Sequence, residues 1–331
     1  MATSNDHSYG TDGSYGMQTL SEPKDALADI VFVHGLTGNR KTTWTDTKTG
    51  VFWPVDLLPA VLEQDELGAR IMTFGYDADV VGLLETASSN RLRDHGKSLA
   101  EERAMLRLRS HTSNRPPIFV THDLGGLVCE QALLISRDSA DAHLTDLLEA
   151  THAIAFLGTP HHGSDKAGWT KVLRNFANIF RYTNKDLLRV LEPGSEVLAG
   201  LEETFHVMLD KRDQAGKRRI HIFCFYEEIG VLGIGQIVPM YSAVLSRYGN
   251  KSIHADHVGM TKFESAQSQG FQDVSGRLWL WVDMVKRASQ QPPAGVDREE
   301  LGQRRTQHFG NVHAGGSVYQ GNENVYAINR S

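Results

Sequence analysis

The chain is short of three things, and each shortage closes off a class of protein. It has two cysteines in 331 residues, Cys129 and Cys224. Each sits inside an apolar run, so a pair of buried free thiols in a reducing compartment is expected rather than a disulfide scaffold. It has no surplus of positive charge, because 34 basic and 40 acidic residues give a formal net charge of -6. Nothing in that balance steers the protein onto nucleic acid or anionic lipid. It also lacks an apolar run approaching the ~18 residues of a membrane-spanning helix, and its N-terminus has no basic start followed by an apolar stretch. The expected location is therefore cytoplasmic, and a hydrophobic fraction of 40% suffices for the core of one large domain.

What is present falls into blocks. Residues 1–28 are rich in Ser, Gly, Asp and Tyr, with "HSYG" echoed by "GSYG". They hold too few aliphatics to offset the entropy of ordering and are expected to be a disordered arm. From Asp29 onward, short apolar runs alternate with longer stretches: "DIVFVHG", "ARIMTFGYD", "PPIFVTH", "THAIAFLGTP", "RIHIFCFYE" and "SIHADHV". Apolar residues at consecutive positions predict strands covered on both faces, hence an α/β fold with a mainly parallel sheet and helical crossovers. Ser98 and Glu101 read as a capping box opening a helix through Leu99 and Leu106. Phe271, Val274, Leu278, Trp281, Val282 and Val285 keep helical spacing ahead of Pro292 and Pro293, which puts the domain's end near residue 288. The stretch between the fourth and fifth runs is too long for a simple crossover. Its patches "WTKVLRNFANIF" and "EVLAGLEETFHVMLD" predict either a helical cap over about 164–215 or peripheral helices without a gating role.

The segment "PPIFVTHDLGGLVCEQALL" reads as strand, sharp turn and buried helix, with Asp123 at the apex. Such an elbow needs small residues two positions to either side, here Thr121 and Gly125. Taken in order, "VFVHGLTG", "VTHDLGGLV", "FLGTPHHGS" and "ADHVGMTKF" resemble the α/β-hydrolase superfamily. More narrowly, they resemble the serine esterase or lipase-like domains of fungal proteins attached to, or encoded near, NOD-like receptors. The resemblance covers residues 29–288 and implies a central sheet with helices on both faces and a helical cap. It implies Asp123 at the position of the nucleophile, where the family carries Ser, His257 as base and Glu227 as acid, with Glu228 the alternative acid. The order nucleophile, acid, base is kept, and each stands at a strand end or in the loop after it. The backbone N–H groups of Leu36 and Leu124 would form the oxyanion hole, with Gly35 and Gly38 either allowing close approach or merely turning the chain. His34, Gly35, His122, His161 and His162 would line the site. No metal or cofactor is expected, because adjacent histidines on a loop point apart and no Cys or acidic partner stands at ligand spacing.

An aspartate changes the chemistry. Attack on an ester carbonyl would form an anhydride, which is strongly uphill, whereas attack on saturated carbon forms an alkyl ester that histidine-activated water can cleave. Haloalkane dehalogenases and epoxide hydrolases resemble this chain in their apical aspartate, but they usually carry Trp next, where this chain has Leu124. Trp169 and Tyr182, in the expected cap, are the candidate leaving-group residues. Three readings stay open: a lipid or ester hydrolase, an aspartate-nucleophile hydrolase of epoxides or halides, and a degenerate fold used for binding or signalling. In the last, the Asp123 carboxylate would raise the His257 pKa and weaken it as a base.

Beyond a linker at 289–305, residues 306–331 form a biased tail. Between 306 and 329 Glu323 alone is formally charged, there is no Pro, and Val312, Ala314, Val318, Tyr319, Val325 and Tyr326 are spaced by Gly, Asn, Ser and Gln. Such a segment can stack in register with its own copies or stay solvated. "HFGNVHAGGSVYQGN", with Phe309, Gly310, Asn311, Val312, Val318, Gln320, Gly321 and Asn322, resembles the sigma-type prion-like amyloid motifs of fungal cell-death effectors and NOD-like receptors. That resemblance implies an effector of heterokaryon incompatibility or immune-type cell death. Its partners would be a receptor bearing a matching motif and further copies of itself.

Overall fold

Four strands bury every residue they contain: β2 (Ala28–Val33), β3 (Ala69–Gly75), β4 (Pro117–His122) and β5 (Ala153–Leu157). Strands that are apolar at consecutive positions need cover on both faces, and they find it in the middle of one sheet. The computed structural model describes residues 15–290, apart from 37, 79–87, 162–170, 173, 177 and 179–184, together with 312–314 and 317–319. With β1 (Gly16–Ser21), β6 (His221–Glu227) and β7 (Gly249–Ile253), the sheet runs in the order β1-β3-β2-β4-β5-β6-β7. All pairings are parallel except β1 with β3.

Helices α1 (Trp53–Asp56), α2 (Leu58–Glu63), α3 (Ser88–Arg109), α4 (Gly125–Asp138), α5 (Ala142–Ala150), α6 (Lys185–Gln214), α7 (Met240–Ala243) and α8 (Gln269–Gln290) follow the strands in chain order. Side chains of α3 to α6, including Leu99, Leu127, Leu144 and Phe205, share one apolar cluster. Those of α1, α2 and α8, including Trp53, Leu58, Phe271 and Leu278, share a second. The two clusters are the two faces of the sheet. No helix among the described residues is long and apolar enough to cross a membrane.

Three local expectations are corrected. Residues 16–21, assigned by composition to the disordered arm, form β1, whose Met17 and Leu20 pack against opposite clusters. An edge strand takes its hydrogen bonds from its neighbour, so its own composition is a weak signal; residues 1–14 lie outside the described residues. The last strand was expected across "SIHADHV" but ends at Ile253, and the rest of that run is loop. Ser98 caps nothing: α3 already begins at Ser88, Ser98 is exposed within it, and Glu101 pairs with Lys97 at 3.7 Å. The buried Leu92 extends the packed face of α3 ahead of the position where the capping pattern pointed.

The expected helical patch around 196–210 falls within α6, and Val172 and Phe176 join the first cluster. The chain divides into two compact units, residues 1–285 and 286–331. In the second, β8 (Val312–Ala314) pairs antiparallel with β9 (Ser317–Tyr319), which places Val312 opposite Tyr319 and Val318 opposite His313. Phe309, Gly310, Asn311, Gln320, Gly321 and Asn322 lie outside the described residues.

At the N-terminal end of the sheet a buried ion cluster ties three elements together. Asp29 accepts from Arg70 Nε and Nη2 at 2.9 and 2.8 Å and from Arg103 Nη2, all fully or almost fully buried. Burial pulls Arg103 down to about 10, so it stays charged at neutral pH. Arg107 of the same helix donates to the carbonyls of Ser113 and Arg115. Replacing Asp29 by Asn leaves buried guanidinium groups facing a neutral amide, a change that costs about 3–5 kcal/mol. The expected outcome for Asp29→Asn is a correspondingly lower urea midpoint with an unchanged slope.

Candidate active site

The site begins with a strained residue. Between β4 and α4 the chain turns within Asp123 and Leu124, and Asp123 has a φ of 55°. This left-handed conformation costs an L-residue roughly 1–2 kcal/mol, with Asp among the better tolerated. The Asp123 N–H donates to the Leu157 carbonyl at 3.0 Å, and the Gly126 N–H donates to the Asp123 carbonyl at 3.1 Å. A Cβ at Gly125 would stand 2.3 Å from the His34 carbonyl oxygen, and one at Gly126 would stand 2.3 Å from Thr159 Cγ2. Glycine is required at both. Thr121 fits two positions before the apex because its hydroxyl lies 3.4 Å from the Ala155 carbonyl.

The two carboxylate oxygens of Asp123 stand in different surroundings. Oδ2 accepts the Leu36 N–H at 2.8 Å. Gly35 makes that approach possible, since a Cβ there would lie 2.6 Å from the same oxygen. Oδ1 has no hydrogen-bond partner and lies 3.8 Å from His257 Nε2. On the other side of the imidazole, Nδ1 lies 3.8 Å from Glu227 Oε1. Both gaps exceed hydrogen-bonding distance and are short enough for strong electrostatic coupling. Glu227, at the end of β6, is fixed by the Val238 N–H, which donates to Oε1 at 2.6 Å. The structure thus brings Asp123, Glu227 and His257 together at the carboxyl edge of the sheet. Glu228 points away and is exposed, 3.5 Å from His254 on the surface.

The oxyanion-hole expectation changes at Leu36, whose amide is engaged by the apical carboxylate itself. Leu124 is buried at the start of α4. Electrostatics follow burial. Desolvation raises the Glu227 pKa against the opposing pull of His257 and the Val238 amide. Burial alone would lower His257, but Asp123, Glu227 and Asp256 together outweigh it and hold that imidazole above its usual value.

Of the expected lining residues, His34 and His161 hold supporting positions, while His122 lines the cavity. His34 is buried, stacks on Tyr76 with ring centroids 4.5 Å apart, and holds the Leu36 loop through Nδ1 to the Gly35 carbonyl at 3.0 Å. His122 does line the cavity, and its Nε2 donates to the His257 carbonyl at 3.0 Å, fixing the base loop. His161 is buried away from the entrance, with Nδ1 3.1 Å from Glu130, because the loop after β5 turns inward there. His162, Trp169 and Tyr182 lie outside the described residues.

A cavity of about 120 Å³ opens on the site, lined by Leu36, Thr43, His122, Asp123, His257 and Lys262 among others. Thr43, Phe176 and Lys262 were not singled out from the sequence. Phe176 meets His257 edge-on with centroids 5.4 Å apart. Lys262 stood within the quoted "ADHVGMTKF", and its spacing from His257 was the available signal. The base loop is stitched to the segment after the Leu36 loop by Thr261 Oγ1 to the Thr43 carbonyl at 2.8 Å and by Lys262 Nζ to the Thr42 carbonyl at 2.7 Å.

Sheet order, a left-handed apex between β4 and α4, and a carboxylate at the end of β6 beside an imidazole after β7 define an α/β-hydrolase fold. No protein-family profile matches the chain. It is similar to Protein SERAC1 of Danio rerio, 29% identical over 261 residues that cover 72% of this chain and 36% of that protein. It is also similar to Protein SERAC1 of Homo sapiens, 27% identical over 165 residues, or 44% of this chain and 24% of that protein. The chain therefore spans only about a third or less of these curated relatives. Among solved structures, an esterase of Pyrococcus furiosus aligns at 12% identity and a TM-score of 0.41, covering 82% of this chain and 92% of that one. A soluble variant of monoglyceride lipase from Saccharomyces cerevisiae aligns at 10% and 0.43, covering 81% and 90%.

The buried histidines set an acid limit. Burial lowers His34 from 6.5 to about 4 and His122 from 6.5 to about 3. Both are neutral when folded and take up a proton on unfolding below pH 6.5, so the stability they carry is present above that pH and lost as pH falls toward 4 and 3. His257 has the opposite sign: its contribution is complete below 6.5 and fades as pH rises through its raised folded value. The expected outcome is a melting temperature that drops on acidification, with roughly 3 kcal/mol or more at stake per buried imidazole. His122→Gln, which keeps an N–H for the His257 carbonyl and cannot titrate, should flatten that acid limb.

Proposed function

We propose that the protein is a hydrolase whose Asp123 attacks saturated carbon, and that its intermediate is an alkyl ester of that side chain. One observation carries the reading: the Leu36 amide holds Oδ2 while Oδ1 faces the base without a partner. For a carboxylate nucleophile this is a productive division of labour. Oδ1 displaces the leaving group and forms the carbon–oxygen bond, while Oδ2 becomes the ester carbonyl oxygen, already in contact with an N–H donor. Water then loses a proton to His257 and adds to Cγ, and the oxyanion that develops on Oδ2 is the atom the Leu36 amide meets. Collapse expels the alkoxide, which takes its proton from His257, and the aspartic acid left behind gives up its proton to solvent and is restored as the carboxylate.

The same geometry argues against ordinary ester hydrolysis. A substrate carbonyl would find the Leu36 donor in use, and loss of one such donor lowers the rate by about 100- to 1,000-fold. Asp123→Ser should therefore hydrolyse a short-chain nitrophenyl ester at least ~100-fold faster than the unaltered protein. For the carboxylate route itself, His257→Gln should accumulate a covalent alkyl adduct on Asp123, seen by intact-protein mass spectrometry. In heavy-oxygen water, the first turnover of the unaltered protein should place unlabelled oxygen in the product. Label in that first product would mean direct attack by water and would end the proposal. Because His257 is held above 6.5, adduct hydrolysis should rise with pH through an apparent value above that figure.

The tail adds a second element to the proposal, which is that 306–331 recruits the hydrolase domain to a receptor of NOD-like type carrying a matching motif. Its low charge and alternating β-formers support in-register stacking, and clustering would raise the local concentration of the domain. The free, buried thiols Cys129 and Cys224 support work in a reducing cytoplasm, where a cell-death effector of this kind would act. A peptide of residues 306–329 should give thioflavin-positive fibres with a repeat near ~4.7 Å. A seeded peptide that stays soluble would remove this element and leave the hydrolase proposal standing.

A further inference from the structure

We infer that Lys262 is the proton donor to the leaving oxygen, and that the substrate class is therefore the strained cyclic ether, an epoxide. This rests on Asp123 being the nucleophile. Lys262 lines the same cavity as Asp123 and His257. It is half-buried, and the carbonyls of Thr42 and Thr45 hold Nζ at 2.7 and 3.4 Å. An ammonium has three N–H donors, so one is left without a partner among the described residues. The other titratable lining groups cannot serve. His122 stays neutral because burial holds it at about 3, Asp123 is the attacking group, and His257 must be unprotonated to activate water. Among the described residues, Lys262 is the one lysine or arginine on the cavity wall.

The chemistry separates two leaving groups. A displaced halide departs as a stable anion and needs no proton. An opened epoxide leaves its oxygen tethered to the substrate as a strongly basic alkoxide, which must be protonated. In the proposed step, Oδ1 of Asp123 bonds to an epoxide carbon, the carbon–oxygen bond of the ring breaks with its electron pair going to oxygen, and that oxygen takes a proton from Lys262 Nζ. Hydrolysis of the alkyl ester by water then releases the diol. The carboxylic acid formed at Asp123 loses its proton, which returns to the neutral amine through solvent, so the balance is epoxide plus water to diol.

The test measures single-turnover alkylation of Asp123, read by mass spectrometry in a His257→Gln background, with propylene oxide and n-propyl bromide as matched probes. Lys262→Met should slow alkylation by the epoxide about 100-fold and leave alkylation by the bromide within a few-fold. Lys262→Arg, which keeps the positive charge but does not release a proton, should leave the epoxide rate low, and recovery of that rate in Lys262→Arg would overturn proton donation. The epoxide rate of the Lys262 protein should also fall at high pH as the ammonium deprotonates, whereas the bromide rate should not, a difference that a merely structural lysine would not produce. Equal epoxide rates in Lys262→Met and its parent would overturn the inference. So would labelling by the bromide alone. Labelling by neither probe would instead overturn the carboxylate-nucleophile reading on which it rests.

Discussion

One hydrogen bond decides what this site can do. When the Leu36 amide donates to Asp123 Oδ2, the two oxygens of a symmetric carboxylate cease to be equivalent. One is committed to a backbone dipole, and the other is left facing the imidazole. In a serine hydrolase the same amide must wait for the substrate, because a hydroxyl oxygen occupies only the attacking position. In the proposed reaction the aspartate would supply its own carbonyl oxygen, and so carry with it the group that the amide would stabilise as negative charge develops. The sheet that bears Asp123, the glycines that let it turn and the histidine behind the Leu36 loop can all be understood as supports for that contact.

Those supports come from ordinary packing. β2 and β4 are adjacent and parallel, with Val33 beside Thr121, so the loops leaving their carboxyl ends meet at one point. Gly35 and Gly125 remove the side chains that would hold those loops apart. His34, neutral and stacked on Tyr76, closes the loop from behind. On the far side of Asp123, Gly158 leaves room for the imidazole, since a Cβ there would lie 3.0 Å from His257 Cε1. The arrangement is preorganised because each position is constrained from more than one direction.

Much of this was legible before any coordinates. Runs such as "IVFV" and "AIAFL" were candidates for buried strands, since short, β-branched and aromatic stretches that are apolar at consecutive positions suit a strand covered on both faces. The elbow at Asp123 was marked by the glycines after it, and the order Asp123, Glu227, His257 fitted a sheet read from nucleophile to acid to base. What was hidden depends on distant partners. β1 exists because β3 offers it an edge, and α3 begins early because Leu92 finds a core. Whether Glu227 or Glu228 turned inward depended on one residue of strand register. The engagement of Leu36 by the carboxylate could not be read from either motif alone, because it is a contact across 87 positions of chain.

Asp123 and His257 are each only 2% exposed. A carboxylate and an imidazole so little exposed are reached through the cavity that opens on them, whose size admits slender molecules more readily than bulky ones. Low exposure also strengthens the coupling between the two groups, because little bulk solvent lies between them.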